Sequence, residues 1–283
     1  MALVQTASGQ GVATNYGDSH LEKESGLSKP VYPNGPYWTD TSTNNSVPEH
    51  YVMTKTHCGG YCQGCKPGHY IESPHSFLTH CIESFGIVYD DTKNKTGKVT
   101  TYYPRDIVAK TVHLIRNPYD NIVSRYHLQL NKWANHNDTS GALQKFHRDR
   151  EGFRSYCAAL PKIENGRLVD RVALEILKDV PCHDEVFRMV QWHNLMFITS
   201  GSLLQVESMV VYYEDYETKF DATLANLLDF LKLPNTGKAS KFVPGKTYVH
   251  YYTPEERVMV KRAIKQLASP KTWEHLERYF DAA

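Results

Sequence analysis

The segment from Thr111 to Trp133 constrains the fold most, because in it an apolar strand passes almost directly into a helix. The β-branched and apolar run 111–115 is typical of a strand that is buried on both faces. Pro118 fits the first turn of a helix, and apolar residues at helical spacing continue from it to Trp133. A strand followed at once by a helix is the repeating unit of a parallel sheet with crossover helices.

The same alternation of strand and helix patterns extends over the rest of the chain. Further strands are predicted at Ala2–Thr6, Tyr51–Lys55 and Ser208–Tyr213. Further helices are predicted at Glu185–Thr199, Phe220–Leu231, from Pro254 with Thr253 as N-cap, and at Glu274–Phe280. Polar stretches at 28–50, 90–98 and 131–140 are predicted loops, the second of them a loop or a hairpin. We expect one α/β domain over residues 1–283, with a central, mainly parallel sheet flanked by helices.

Composition limits the classes of partner. The 283 residues include 32 Lys and Arg against 31 Asp and Glu, so the overall charge gives no support for nucleic acid or an anionic membrane as partner. An anion site must therefore be local. No stretch has the roughly 20 apolar residues of a membrane span, and no signal peptide is visible at the start. With a first strand expected almost at Met1, either the chain is cytosolic or an upstream segment has been removed.

The residues after strand 111–115 are suited to binding an anion. Ligands of parallel α/β sheets gather outside the carboxyl ends of the strands, and the N-terminus of the following helix points positive N–H groups at the same crevice. Arg116 adds a planar fork of donors that suits phosphate. Ser124 follows about two helical turns later and adds a hydroxyl. The alternative is that Arg116 only pairs with Asp120 at the end of the strand.

The pattern around Arg116 is longer than this minimal site. Its members are Arg116, Asn117, Pro118, Asp120, Val123, Ser124, Tyr126 and His127. In type and spacing they resemble the 3′-phosphate-binding motif of sulfotransferases that use 3′-phosphoadenosine 5′-phosphosulfate (PAPS). The resemblance implies the P-loop NTPase-like sulfotransferase fold, and it implies that Arg116 and Ser124 hold the 3′-phosphate of PAPS.

A second segment, Thr54-Lys55-Thr56-His57, ends the predicted strand before this motif. Alone, it is better explained as a surface lysine beside a packed histidine. It resembles the Lys-Thr-His segment of many sulfotransferases, which implies that His57 is the general base and that Lys55 stabilises the transferring sulfuryl group. The chemistry fits these roles, because a neutral imidazole can accept the acceptor's proton and an ammonium group can stabilise developing negative charge.

The resemblance is weaker at the loop for the 5′-phosphosulfate. The corresponding residues are Gly11, Val12, Ala13, Thr14, Asn15 and Tyr16, which are mostly small but include no lysine. Either backbone amides, hydroxyls and Lys55 suffice to bind the phosphosulfate, or the protein binds the nucleotide without catalysis. The resemblance also implies that Tyr213 lies near the adenine, although a core tyrosine at a strand end is the alternative. The segment 191–193, Gln-Trp-His, is interpreted as structural.

Cysteines and glycosylation sequons bear on the compartment. Cys58, Cys62, Cys65 and Cys81 fall close together, near several histidines. We favour disulfides that fix the loop after His57 over a zinc site or free thiols, because the paired spacing of a zinc site is absent. Three Asn-x-Ser/Thr sequons begin at Asn44, Asn94 and Asn137. Together these features favour the lumen of the Golgi over the cytoplasm.

These observations predict a PAPS-dependent sulfotransferase that resembles the carbohydrate branches of the family more than the typical cytosolic ones. It would move a sulfuryl group from PAPS to a hydroxyl or amine and release PAP, without a metal and without nucleic acid. A glycan or a small metabolite is the expected acceptor, and a protein tyrosine stays open, as does the oligomeric state. The alternatives are a catalytically inactive PAP-binding module and a P-loop kinase, whose Gly-x4-Gly-Lys-Ser/Thr motif is missing.

Overall fold

The computed structural model describes residues 2–15, 29–30, 32, 34–38, 53–60, 66–90, 92, 94–135, 141–160, 169–239, 241 and 247–280. Within these ranges the helices are α1 (Ala2–Ser8), α2 (Pro74–Cys81), α3 (Pro118–Asn135), α4 (Ala142–Lys145), α5 (Arg150–Ala159), α6 (Arg171–Leu177), α7 (His183–Ile198), α8 (Asp215–Thr218), α9 (Phe220–Leu231), α10 (Pro254–Leu267) and α11 (Pro270–Leu276). Helix α7 continues into a π-helical turn, Thr199–Leu204. Short 3₁₀ turns lie at Pro67–His69, Arg105–Ile107, Val249–Tyr251 and Glu277–Tyr279.

The strands of the described ranges form four two-stranded sheets. They are β1 (Val12–Thr14), β2 (Lys29–Pro30), β3 (Tyr37–Trp38), β4 (Met53–Lys55), β5 (Glu83–Asp90), β6 (Lys95–Tyr102), β7 (Lys110–Ile115) and β8 (Glu207–Tyr212). The pairs β1–β4 and β7–β8 are parallel, whereas β2–β3 and β5–β6 are antiparallel. The fold is thus a mixture of helices and sheets, as predicted.

The central sheet is only partly as predicted. We expected one mainly parallel sheet, but in the described residues the ladder β1–β4 does not continue into the ladder β7–β8. The first parallel pair has only three residues per strand, from Val12↔Met53 to Thr14↔Lys55, which offers few hydrogen bonds for extending a sheet. The second pair is longer and runs in register from Lys110↔Glu207 to Ile115↔Tyr212.

The predicted strand Ala2–Thr6 is wrong, because these residues form the helix α1. Val4 and Ala7 lie on one helical face and are buried against α9. The hydroxyl of Ser8 donates to the carbonyl of Val4 at 2.7 Å, and Gly9 ends the helix with a positive φ of 70°. A short apolar run does not distinguish a buried strand from a buried helix by its periodicity.

The other predicted elements agree more closely with the structure. Helices α3 and α9 match the predictions, except that α3 continues to Asn135 into the predicted loop 131–140. Helix α10 begins with a complete capping box, in which Thr253 and Glu256 each accept the other's backbone N–H. The predicted helix Glu274–Phe280 is instead the end of α11 followed by a 3₁₀ turn. The polar stretch 90–98, predicted as a loop or hairpin, lies in the β5–β6 hairpin, with Asp90 at the end of β5 and residues 95–98 at the start of β6.

Aromatic and aliphatic side chains of α3, α5 and α7 form the largest hydrophobic cluster and hold the strand-to-helix crossover in place. Val123 and Tyr126 of α3 are fully buried in it, together with Phe153 of α5 and Val186 of α7. Burial on this scale fixes the direction of α3, since each of these side chains would lose on the order of 2 kcal/mol if it were exposed. No helix of the described ranges is both long and apolar enough to cross a membrane.

Two disulfides join distant elements. Cys58, which follows His57, is bonded to Cys81 at the end of α2, and Cys157 of α5 is bonded to Cys182 before α7. The bond between Cys58 and Cys81 agrees with the expectation that a disulfide fixes the segment after His57. Cys62 and Cys65 lie outside the described residues. Within those residues no group of ligands suits a metal ion, and the disulfides fit a secreted or lumenal location.

Candidate active site

Arg116 and Tyr213 lie side by side at the carboxyl ends of β7 and β8. The N–H of Tyr213 donates to the carbonyl of Ile115 at 2.8 Å and so extends the ladder by one bond. The guanidinium of Arg116 lies over the ring of Tyr213, 4.9 Å from its centre. A cation beside an aromatic face is a suitable pair for the phosphate and the base of a nucleotide.

Asn117 explains the sharp turn from β7 into α3. Its side-chain oxygen accepts from the N–H groups of Tyr119 at 3.0 Å and of Asp120 at 3.4 Å, as an N-cap does. Its own N–H donates to the carboxylate of Glu214 at 2.9 Å. Since Pro118 lacks an N–H and needs no partner at the first turn, the sequence Arg-Asn-Pro builds a strand end, a cap and a helix start in order.

Asp120 has a structural position at this turn. Its carboxylate accepts hydrogen bonds from the N–H of Tyr248 and from the hydroxyl of Thr247, which connects the segment before α10 to the start of α3. Burial raises the pKa of Asp120, while the bond from Tyr248 and the charge of Arg116 act against this rise. Ser124 lies on the same helix and is half-buried.

Lys55 and His57 lie at and just after the carboxyl end of β4, and both are exposed. His57 nevertheless lies at a cavity of about 190 Å³, so that part of its ring faces water and part faces protein. Desolvation is the largest cause that lowers the pKa of His57 to about 4, followed by the positive charges of Lys55, Arg125 and Lys132. The imidazole is therefore neutral at physiological pH.

The cavity beside His57 is built mainly by α3 and α7. Its other lining residues are Gly60, Leu114, Asn121, Arg125, Arg188, Met189, Trp192 and His193. Trp192 also donates its indole N–H to the carbonyl of His57 at 2.8 Å, which fixes the backbone of the candidate base. The Gln-Trp-His segment was interpreted as structural only, but two of its residues line this cavity.

Arg125 and Arg188 share a buried carboxylate. Glu185 accepts from Nε of Arg125 at 2.6 Å and from Nη1 of Arg188 at 2.9 Å. Arg188 also lies over the ring of Tyr70, 4.1 Å from its centre. This group is not among the residues predicted from the sequence. The signal that was available is the spacing of Asn121 and Arg125, which puts both on one face of the helix that follows Arg116.

The residues predicted for the 5′-phosphosulfate loop are not all in a loop. Val12, Ala13 and Thr14 form β1, so the prediction of a loop from Gly11 to Tyr16 is wrong for these three. Asn15 is buried and donates its side-chain amide to the carbonyl of Cys81 at 2.9 Å. Tyr16 lies outside the described residues. The contact of these residues with the donor stays a prediction.

A larger cavity of about 930 Å³ lies away from these residues, between the end of α7, β8, α9 and α11. Its lining includes Phe197, Tyr212, Asn226, Lys271 and His275, and none of the predicted site residues. Of the predicted site residues, His57 lines the smaller cavity, whereas Lys55, Arg116, Ser124 and Tyr213 are not among its lining residues. We place the candidate active site at this cavity because it holds the candidate base beside charged side chains at a strand end.

Comparison with known families agrees with the motif around Arg116. The sulfotransferase domain matches residues 103–247, which is about half of the chain and includes β7, α3 and β8. The segments of Lys55, His57 and Gly11–Tyr16 precede the matched range. No curated protein and no solved structure matches the chain. Since the match spans the crossover that carries Arg116, Ser124 and Tyr213, the chain belongs to the sulfotransferase domain family.

Proposed function

We propose that the protein transfers the sulfuryl group of PAPS to a hydroxyl or amine of an acceptor, a glycan or a small metabolite, and releases PAP. The observation that carries this proposal is the position of Arg116. Its guanidinium lies over the ring of Tyr213, it directly precedes Asn117, which caps the start of α3, and it falls within the residues that match the sulfotransferase domain. Arg116 and Ser124 bind the 3′-phosphate, and Tyr213 lies near the adenine. No metal takes part.

His57 accepts the proton of the acceptor as its oxygen or nitrogen forms a bond to sulfur. The bond between that sulfur and the 5′-phosphate oxygen breaks, and PAP leaves with the electron pair. Lys55 stabilises the negative charge on the sulfuryl oxygens and on the leaving phosphate. The bonding of the His57 carbonyl to Trp192 and the disulfide at Cys58 support this role, since both hold the base at the cavity.

The donor assignment is tested by calorimetric titration of PAP into the wild type, Arg116→Ala and Arg105→Ala. Arg105 is an exposed arginine before β7 and serves as a matched control. We expect Arg116→Ala to weaken PAP binding about tenfold or more, because a charge-assisted contact to phosphate is lost, and Arg105→Ala to bind as the wild type does. Equal affinities of all three proteins would refute the donor site.

Catalysis is tested by following PAP release from PAPS with a broad set of glycans, phenols and amines. We expect transfer by the wild type and none above background by His57→Ala. If the wild type binds PAP but transfers to no acceptor, the protein is a nucleotide-binding module, which the lack of lysine in Gly11–Tyr16 would then explain.

A further inference from the structure

The segment that follows the candidate base is buried and sharply turned. His57 is exposed, whereas the next three residues, 58–60, are buried, and Gly60 lines the same cavity as His57. Cys58 and Gly60 have positive φ values of 52° and 71°. Because a residue other than glycine adopts this left-handed conformation only at a cost in free energy, contacts with the surrounding structure must hold the segment in place. The disulfide of Cys58 is one of these contacts.

The carboxylate of Glu72 is a second contact, and the side chain of Glu72 is only 6% exposed. Its Oε1 accepts the N–H of Gly60 at 3.0 Å. Nδ1 of His80, in helix α2, lies 3.1 Å from the same carboxylate. A buried carboxylate is stable only where such hydrogen bonds replace those with water. Glu72 thus joins the segment after the base to helix α2.

Gly59 allows this carboxylate to approach the segment closely. A Cβ atom at position 59 would lie 2.0 Å from Oε1 of Glu72 and 2.3 Å from Oε2, far inside van der Waals contact. Any other residue at this position would displace the carboxylate from the N–H of Gly60. The two glycines after Cys58 therefore fit the hydrogen bond to Glu72.

Helix α7 fixes the backbone of both the base and Glu72. The indole N–H of Trp192 donates to the carbonyl of His57 at 2.8 Å. The neighbouring Gln191 accepts the N–H of Glu72 at 3.2 Å and donates its own amide to the carbonyl of Tyr70. Two consecutive residues of one helix therefore set the position of Glu72 relative to the base.

We propose that Glu72 is a positioning residue, whose carboxylate holds the backbone of Gly60 and thereby keeps the imidazole of His57 at the cavity. This inference rests on the proposed function, in which His57 is the general base. A base must lie within hydrogen-bonding reach of the proton that it accepts, and a displacement of about 1 Å can slow a reaction about a hundredfold. Glu72 is not among the residues that line the cavity, so it acts through the segment and not by contact with substrate.

The position of the base is measured without an acceptor, by NMR titration of the imidazole signals of His57 in the wild type and in Glu72→Ala without PAP. Desolvation is the largest cause that lowers the pKa of His57 to about 4 in the wild type. We expect this pKa to rise by about one unit or more in Glu72→Ala, because the released imidazole is better solvated. The loss of a negative charge alone would lower the pKa, so a rise reports displacement of the ring.

Further variants separate the hydrogen bond from general damage to the fold. Glu72→Gln keeps an oxygen that can accept the N–H of Gly60, so it should keep the pKa of His57 close to that of the wild type. Gly59→Ala displaces the carboxylate and should raise the pKa as Glu72→Ala does. The double variant should raise it no further, because both changes break the same contact. Thr253→Ala breaks the cap of α10, which does not line the cavity, and should leave the pKa unchanged.

Unchanged His57 signals in Glu72→Ala and Gly59→Ala would overturn the inference, and Gly59→Ala alone decides if Glu72→Ala does not fold. We expect both variants to bind PAP as the wild type does, because neither change touches Arg116 or Tyr213.

Turnover adds a second measurement for any acceptor that the wild type sulfates. We expect the kcat of Glu72→Ala to fall about tenfold or more with the KM for PAPS unchanged, and Thr253→Ala to keep the wild-type kcat. A higher KM for PAPS with an unchanged kcat would place Glu72 at the donor site and overturn the inference. If the wild type sulfates no acceptor, the proposed catalysis is refuted, while the titration of His57 still decides whether Glu72 holds this side chain at the cavity.

Discussion

At the scale of single residues, the charge state of His57 links the donor and the acceptor. The pKa of about 4 belongs to the protein without a donor, and three cations contribute to it after desolvation. Such an imidazole is neutral but is a weak base, and an efficient base has a pKa close to the working pH. In the proposed mechanism, PAPS and PAP would bring several negative charges close to this imidazole. The donor itself should therefore raise the pKa of His57.

We predict that saturation with PAP raises the pKa of His57 by about one unit or more. The physical reason is that phosphate charges near Lys55 oppose the cations that disfavour the imidazolium. The measurement is an NMR titration of the imidazole proton signals with and without PAP, with His57→Ala used to assign the resonance. An unchanged or lower pKa in the complex would show that the nucleotide does not bind near this base.

The roles of individual residues could be predicted from the sequence where the interacting residues lie next to one another in the chain. Arg116, Asn117 and Pro118 follow one another, so strand end, cap and helix start could be inferred together. The pairing of Arg125 with Glu185 spans 60 residues and depends on how α3 packs on α7. No local pattern contains that packing, so the spacing of Asn121 and Arg125 indicates a shared helical face but does not predict the pairing of Arg125 with Glu185.

At the scale of elements, prediction succeeded for helices with clear termini and failed for short apolar runs. Helix α10 has its proline and both members of the capping box in the sequence, and it begins where expected. The run Ala2–Thr6 has no such signal. Burial against α9 decides in favour of helix α1, and that contact joins residues more than 200 positions apart in the chain.

The cap of α10 gives a prediction for stability. In Thr253→Ala the N–H of Glu256 loses the hydroxyl that now accepts it at 3.2 Å, and the capping box is broken. We expect the free energy of unfolding in urea to fall by about 1 kcal/mol. Thr218→Ala, an exposed threonine at the end of α8, should change it by less than about 0.5 kcal/mol. An equal effect of both variants would mean that the cap contributes nothing.

At the scale of the whole molecule, the buried His113 and His193 and the partly buried His275 connect β7, α7 and α11. Nε2 of His113 lies 2.9 Å from Nδ1 of His193, and Tyr212 binds His275 at 2.8 Å. Desolvation is the largest cause that lowers the pKa of each of the three, and the charges of neighbouring histidines lower those of His113 and His193 further. The group packs where the parallel ladder meets the helices, so its protonation affects the fold and not only a local site.

The fold should therefore lose stability in mild acid. An unfolded histidine binds a proton near pH 6.5, whereas His193 in the folded protein does so only at about 4. Because folding depresses the pKa of His193, only the unfolded chain binds this proton between about pH 6.5 and about pH 4. The free energy of unfolding therefore has its full value above about pH 6.5 and decreases as the pH falls towards about 4. The loss from this one side chain is of the order of 3 kcal/mol.

The measurement is urea unfolding at several pH values from neutral to mildly acidic, for the wild type, His193→Gln and His69→Gln. Glutamine can still bond to His113 but does not titrate, so the stability of His193→Gln should depend less on pH than that of the wild type. His69 is exposed, and its variant should follow the wild type. Parallel curves for all three proteins would show that the buried histidines do not set the acid sensitivity, and that the carboxylates do.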